Sequence, residues 1–219
     1  GISQGYSGGA AASSTRAVYA GGGGPASTGI DITYVTIATE GNSIDFGADR
    51  NSSKGKGQYA PGCGNQTRGI FISSKNHPAY YGNTDFVTIA TTGSWANFGD
   101  LSNGSGGYRY TNGSSSTTRA LVYGGNFPGD GNEIDYITIA TLGDSVDFGD
   151  AIKSGTHRGG FSNTIRGGAA GGYYPSSDFN TIEYVNIATT GNGIDFGDMT
   201  ITRAYNMGTT SDSHGGLSE

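Results

Sequence analysis

Tyr136-Ile137-Thr138-Ile139-Ala140-Thr141-Leu142-Gly143-Asp144-Ser145-Val146-Asp147-Phe148-Gly149-Asp150 is the stretch that decides the fold. Its kernel is an Ile-Ala-Thr run, a glycine two residues later, and Phe-Gly with the phenylalanine nine residues after the isoleucine. The kernel occurs four times, at Ile37, Ile89, Ile139 and Ile187, with Phe46, Phe98, Phe148 and Phe196 always nine residues on. Upstream of each isoleucine stands an arginine, Arg16, Arg68, Arg119 or Arg166, at a distance of 20 or 21 residues. Five and six residues after each arginine comes a small pair: Gly21-Gly22, Ser73-Ser74, Gly124-Gly125 and Gly171-Gly172. Landmarks that keep register at a period near fifty residues define an array of repeats. The units run approximately over 16–67, 68–118, 119–165 and 166–213, inside a single repeat domain spanning 1–219. Residues 1–15 and 214–219 read as partial repeats, with His214 in an arginine slot. The overlap of the two ends predicts part of a longer array, or copies that assemble between chains.

Composition agrees with many short strands. Glycine is extreme at 42 residues, but 14 Tyr and 9 Phe supply packable surface. Glycine here punctuates strands rather than loosening a linker. The strand-like runs are Ala17-Val18-Tyr19 or Leu121-Val122-Tyr123 after the arginine, Tyr34 to Thr39 or Tyr136 to Thr141 at the kernel, and Ser145 to Phe148 before Phe-Gly. A weaker fourth run is Gln58-Tyr59-Ala60, Tyr108-Arg109-Tyr110 or Ala204-Tyr205-Asn206. The kernel run carries packable groups on both faces and no charge, which suits a sheet covered on both sides. Ala38, Ala90, Ala140 and Ala188 are expected to keep one point of close sheet approach small.

The net charge of −6 and scattered basic residues point away from nucleic acid and anionic membranes. No run approaches the ~20 apolar residues of a membrane-spanning helix, and residues 1–20 do not read as a signal peptide.

Arginine, short strand, diglycine, variable loop, acidic-aromatic strand opening and a third-strand aromatic resemble the kelch repeat. The clearest copy is Arg119 to Gly125, then Asp135-Tyr136-Ile137, then Phe148. The resemblance implies four-stranded blades of a β-propeller, possible also as a segment of a larger ring. Phenylalanine stands where kelch repeats carry tryptophan, and Ser73-Ser74 replaces one diglycine. A β-solenoid or a trimeric β-fibre is the alternative fold. Runs such as Tyr184 to Asp198 are also similar to glycine-rich repeats of tailed-bacteriophage virion and tail-appendage proteins, marine ones in particular. That similarity implies a non-enzymatic virion or extracellular protein adhering to host-surface glycans or contacting other virion proteins. A polysaccharide-acting propeller enzyme and a bacterial secreted or surface repeat protein are the competing functions.

The arginines are read as structural, pairing with a neighbouring strand or with the acidic turns at Asp45, Asp147, Asp150, Asp195 and Asp198. The phenylalanines are read with them as structural. Calcium at those turns is disfavoured, because carboxylates are few and Asn97 replaces one of them. Cys63 near Tyr59 matches one ingredient of a copper-radical site, but His77, His157 and His214 lie in different units. No catalytic set, cofactor or metal is assigned. Binding is expected in the variable loops after the first strand, where aromatic rings sit beside polar groups: His77, Tyr80, Tyr81, Phe127, Asp130, Tyr173, Tyr174 and Asp178. The plain alternative is that these rings cover the ends of neighbouring sheets. Trp95 is expected in the core.

Overall fold

The structure is a computed structural model. It describes residues 8–20, 32–47, 61–72, 75–76, 79–80, 82–102, 112–126, 130–205, 208 and 210–212. Four antiparallel four-stranded sheets form the blades of a β-propeller, with no helix among the described residues. Blade 1 holds β1 (Gly9–Ala12), β2 (Arg16–Ala20), β3 (Ile32–Thr36) and β4 (Ile44–Asp45). Blade 2 holds β5 (Gly62–Gly64), β6 (Arg68–Ile72), β9 (Asn83–Thr88) and β10 (Ala96–Asp100), with a small hairpin of β7 (Lys75–Asn76) and β8 (Ala79–Tyr80) between β6 and β9. Blade 3 holds β11 (Asn112–Ser115), β12 (Arg119–Asn126), β13 (Asp130–Thr138) and β14 (Val146–Asp150). Blade 4 holds β15 (Gly159–Ser162), β16 (Arg166–Tyr173), β17 (Asp178–Asn186) and β18 (Ile194–Asp198). A final short strand, β19 (Thr210–Ser211), pairs parallel with β15.

The innermost strand of each blade differs from the sequence reading. It is β1, β5, β11 or β15, built almost wholly from Gly, Ala, Ser, Asn and Cys, and it precedes the arginine by a few residues. Each pairs with the arginine strand that follows, so a blade begins about seven residues before its arginine. The expected run Ala204-Tyr205 is not a strand, and 58–60 and 108–110 lie outside the described residues. Small residues are required at the axis. A Cβ on Gly62 would strike the Ala10 backbone, and one on Gly160 would meet Gly113 O at 2.5 Å. The four inner strands and β19 surround an axial cavity of about 260 Å³.

The Ile-Ala-Thr kernel is not strand either. Ile37, Ile89, Ile139 and Ile187 open a turn closed by Thr39 N donating to Thr36 O, and likewise at Thr91, Thr141 and Thr189, each at 3.2 Å. Each isoleucine N–H donates to the carbonyl just before the arginine of its own blade, at 2.9 Å. The turn leaves the isoleucine and alanine carbonyls free, and the alanines themselves are exposed rather than at a tight sheet contact.

Those carbonyls are where the arginines go. Arg16 Nη1 donates to Ile89 O (3.2 Å) and Ala90 O (2.8 Å) of the next blade. Arg68 donates to Ile139 O (2.6 Å), and Arg119 to Ile187 O and Ala188 O (both 3.0 Å). Three of the four arginines cap a neighbour's turn; among the described residues none pairs with the acidic turns, where Asp45, Asp147 and Asp195 instead accept from the glycine N–H two residues on. Each guanidinium also lies over the aromatic ring of its own blade, Tyr34, Phe86, Tyr136 or Tyr184, at 4.5 to 4.9 Å. Those rings meet the repeated phenylalanines edge-on at 5.8 to 6.0 Å.

Three apolar clusters fill the seams between blades 1 and 2, 2 and 3, and 3 and 4. In the first, Trp95 packs edge-on against Phe71 at 4.9 Å and is partly buried. In each seam the phenylalanine carbonyl accepts from a glycine N–H of the next blade: Gly93 to Phe46, Gly143 to Phe98, Gly191 to Phe148, at 2.8 to 2.9 Å. The glycine after each phenylalanine lets the backbones close; a Cβ on Gly47 or Gly149 would sit 2.5 Å from the next blade's carbonyl. No such cluster joins blade 4 to blade 1 among the described residues.

Candidate binding site at the loop end of blade 4

The loops after the arginine strands emerge at the end of the propeller opposite the Ile-Ala-Thr turns. His77, Tyr81 and Phe127 lie outside the described residues, as do the side chains of Tyr80 (β8) and Asp130 (β13). Tyr173, Tyr174 and Asp178 are described, and blade 4 brings them together. Gly171, at φ 59°, makes the bulge that shifts the β16–β17 register between Ala170 and Gly172 and aims the hairpin tip. Beyond it Tyr173 pairs with Asp178, and Tyr174 N donates to Ser177 O at 3.0 Å to close the tip. Gly124 (φ 52°) makes the same bulge in blade 3.

Beside this tip is a cleft of about 510 Å³ lined by Lys153, Tyr174, Ser177, Asp178, Asn180 and Thr202, with Phe179 at its wall. An exposed ring, an ammonium, a carboxylate and a carboxamide thus converge on one concave surface. Nearby, the Tyr205 ring lies against His157 with centroids 4.0 Å apart and planes tilted by 43°, and approaches Tyr173 at 5.7 Å. His157 and Tyr205 have φ of 59° and 61°, the only non-glycine residues with positive φ among the described ones. Such backbone costs of order 1–3 kcal/mol each and persists where surroundings enforce it. Here Thr156 supplies part of that, with its Oγ 2.8 Å from His157 Nδ1 and a backbone bridge to Tyr173.

Sequence alone marks neither Lys153 nor Asn180, weighs His157 only as a metal ligand, and gives Tyr205 only to a strand run. They fall in the phenylalanine-to-arginine stretch or on strand edges, where the units share no spacing, so repeat reasoning has no purchase on them. The tip itself is legible without a fold, because aromatics stand beside polar residues in a variable loop.

Beneath the cleft lies a buried ion pair. Arg158 and Glu183 approach to 2.5 Å with both side chains almost fully buried. Arg158 also donates to Gly171 O (3.2 Å), and Ile152 N donates to Glu183 Oε2 (2.5 Å). Burial lowers the guanidinium pKa, and Glu183 raises it back in part. Glu183 occupies the strand position held by Asp135 in blade 3, whose carboxylate accepts from Ser102 N and Oγ and from Ser145 Oγ at 2.7 to 3.1 Å. In both cases the acid ties down the chain leaving the previous blade. Thr33 stands at that position in blade 1.

Cys63 is buried in the seam between blades 2 and 3, and burial pushes its thiol up to about 12. The thiolate is the reactive form, so native protein at pH 8 is expected to resist a thiol reagent and to react promptly once denatured. Rapid labelling of the folded chain would contradict this burial.

No family model and no curated protein matches the chain. Fold and site together define a β-propeller with a polar-aromatic cleft at one loop end.

Proposed function

We propose that this protein is a non-enzymatic adhesion module that binds glycans through the loop end of the propeller, as a component of a tailed-phage virion or tail appendage. The observation that carries the binding reading is the cleft at blade 4. Tyr174 offers a ring face for a sugar, while Lys153, Asp178 and Asn180 offer donors and acceptors around it. Beside it His157 and Tyr205, both at positive φ, lie ring against ring, an arrangement that suits recognition by a pre-formed surface. The phage setting rests on the similarity of the repeat itself.

A glycan array tests the binding. Wild type is expected to bind a subset of glycans, and Tyr174→Ala or Asp178→Ala to weaken that signal about tenfold or more, roughly 1.4 kcal/mol, with an unchanged melting temperature. A blank array ends the carbohydrate reading; release of new reducing ends from bound glycans would replace adhesion by hydrolysis. Mass spectrometry of purified virions tests the setting.

A further inference from the structure

At the same repeat positions, the fourth seam is unmade on both of its sides. Phe46, Phe98 and Phe148 are 1 to 3% exposed, whereas Phe196 is 57% exposed. Ile89, Ile139 and Ile187 are 0 to 1% exposed, whereas Ile37 is 54% exposed. Arg166 is exposed and caps no turn, and the Ile37 and Ala38 carbonyls receive no arginine among the described residues. A Cβ on Gly197 would meet nothing within 4 Å, where those on Gly47, Gly99 and Gly149 would strike the next blade.

Both half-seams are nevertheless fully formed. Arg166 lies over Tyr184 at 4.5 Å and Tyr184 meets Phe196 edge-on at 5.9 Å, the same triad that the buried seams contain. Ile37 N is held by Thr15 O at 2.9 Å, in the same turn as its three counterparts. One chain therefore carries a ready donor face on blade 4 and a ready acceptor turn on blade 1, and β19 gives way when the two meet.

We propose that copies of this chain associate head to tail, blade 4 of one copy packing on blade 1 of the next and remaking the fourth seam between chains. Arg166 caps the Ile37 and Ala38 carbonyls of the incoming copy, Phe196 is covered by its Ile37 side, and Phe196 O accepts from its Gly41 N–H. The three internal seams are the template for each of these contacts. Blade 1 of the same chain is the rival occupant. Tethering gives it a high effective concentration, yet it leaves the seam open. β19 sits beside β15, where the following blade's inner strand sits in the other seams. That strand is two residues long, its side-chain tie being Ser162 Oγ to Ser211 Oγ at 2.8 Å, and β1 of an incoming copy takes its place. Because blade 1 has Thr33 where blades 2 to 4 have an acid, the interchain seam lacks one clamp and is the weakest of the four. Heterologous contacts of this kind build closed rings or open filaments.

Sedimentation velocity over micromolar to high-micromolar concentrations tests this. The weight-average mass of wild type is expected to climb from the 22.3 kDa monomer to twice that and beyond. Ile37→Glu blocks the acceptor and Phe196→Glu the donor, so each alone stays monomeric. An equimolar mixture of the two retains one working seam and stops at a dimer. Arg166→Glu repeats the donor block without touching an apolar side chain, and circular dichroism confirms that all variants are folded. A wild type that stays monomeric overturns the proposal. So does an oligomer that the variants leave intact, which would place the interface elsewhere. A monomer with slow amide exchange at Gly41 likewise overturns the proposal and makes blade 1 of the same chain the occupant.

Discussion

Glu183→Ala is expected to cost about 3–5 kcal/mol, because it strands the buried Arg158 guanidinium without its counter-ion. Ile152 N and the chain leaving blade 3 lose their anchor at the same time. The urea midpoint of folding reports the loss directly, and Arg158→Ala is expected to match it from the other side. The decisive variant is the double replacement Arg158→Met with Glu183→Leu. Removing both charges removes both desolvation costs, so the double variant should be more stable than either single one, and near wild type if the new side chains pack. A double variant whose loss equals the sum of the two single losses would mean that the residues act independently, against the 2.5 Å contact that joins them. The pair also sets the floor of the loop-end cleft through Arg158 and Phe179, whose ring lies 5.5 Å from the guanidinium. Glycan binding should weaken along with stability in the single variants.

The second large effect is a contrast between residues that the repeat makes equivalent. Phe98→Ala empties a space in the seam between blades 2 and 3, lined by Ile70, Ile72, Ile137 and Ile139, and should cost about 3–5 kcal/mol. Phe196→Ala removes the same side chain from an exposed face, and at dilute concentration should move stability by about 0.5 kcal/mol or less. Sequence position alone assigns both the same value. Equal losses at the two sites would show that blade 4 is covered in solution even when monomeric, and would close the seam that the structure leaves open.

Repetition made the blades legible, and the reason is physical. A residue that must fit against the next copy recurs at fixed spacing, so Arg16 and its counterparts and the four phenylalanines stood out without any structure. What they touch did not. A hydrogen bond from arginine to the carbonyls of a turn leaves no trace in side-chain chemistry, and the nearby acidic residues drew attention to themselves instead. The inner strands escaped for a related reason. Gly62-Cys63-Gly64 and Asn112-Gly113-Ser114-Ser115 have little strand propensity and are strands because crowding at the axis admits nothing larger. The Ile-Ala-Thr runs misled in the opposite sense: their composition suits a strand, but their isoleucines sit at the first residue of a turn. At the loop end, Tyr174 and Asp178 were found by composition, while His157 and Tyr205 depend on backbone angles that no spacing reveals.

Every made seam points the same way along the chain: the earlier blade gives its arginine and its phenylalanine, and the later blade supplies the carbonyls and the cover. On a ribosome this polarity becomes an order of events. A blade that has just emerged has nothing to cover its phenylalanine until the following fifty or so residues appear, a wait of seconds at ordinary synthesis rates of about 5–20 residues per second. Each new blade shields the last and exposes its own phenylalanine in turn. The growing propeller thus carries one sticky face at a time, moving outward with synthesis, and Phe196 is that face for blade 4.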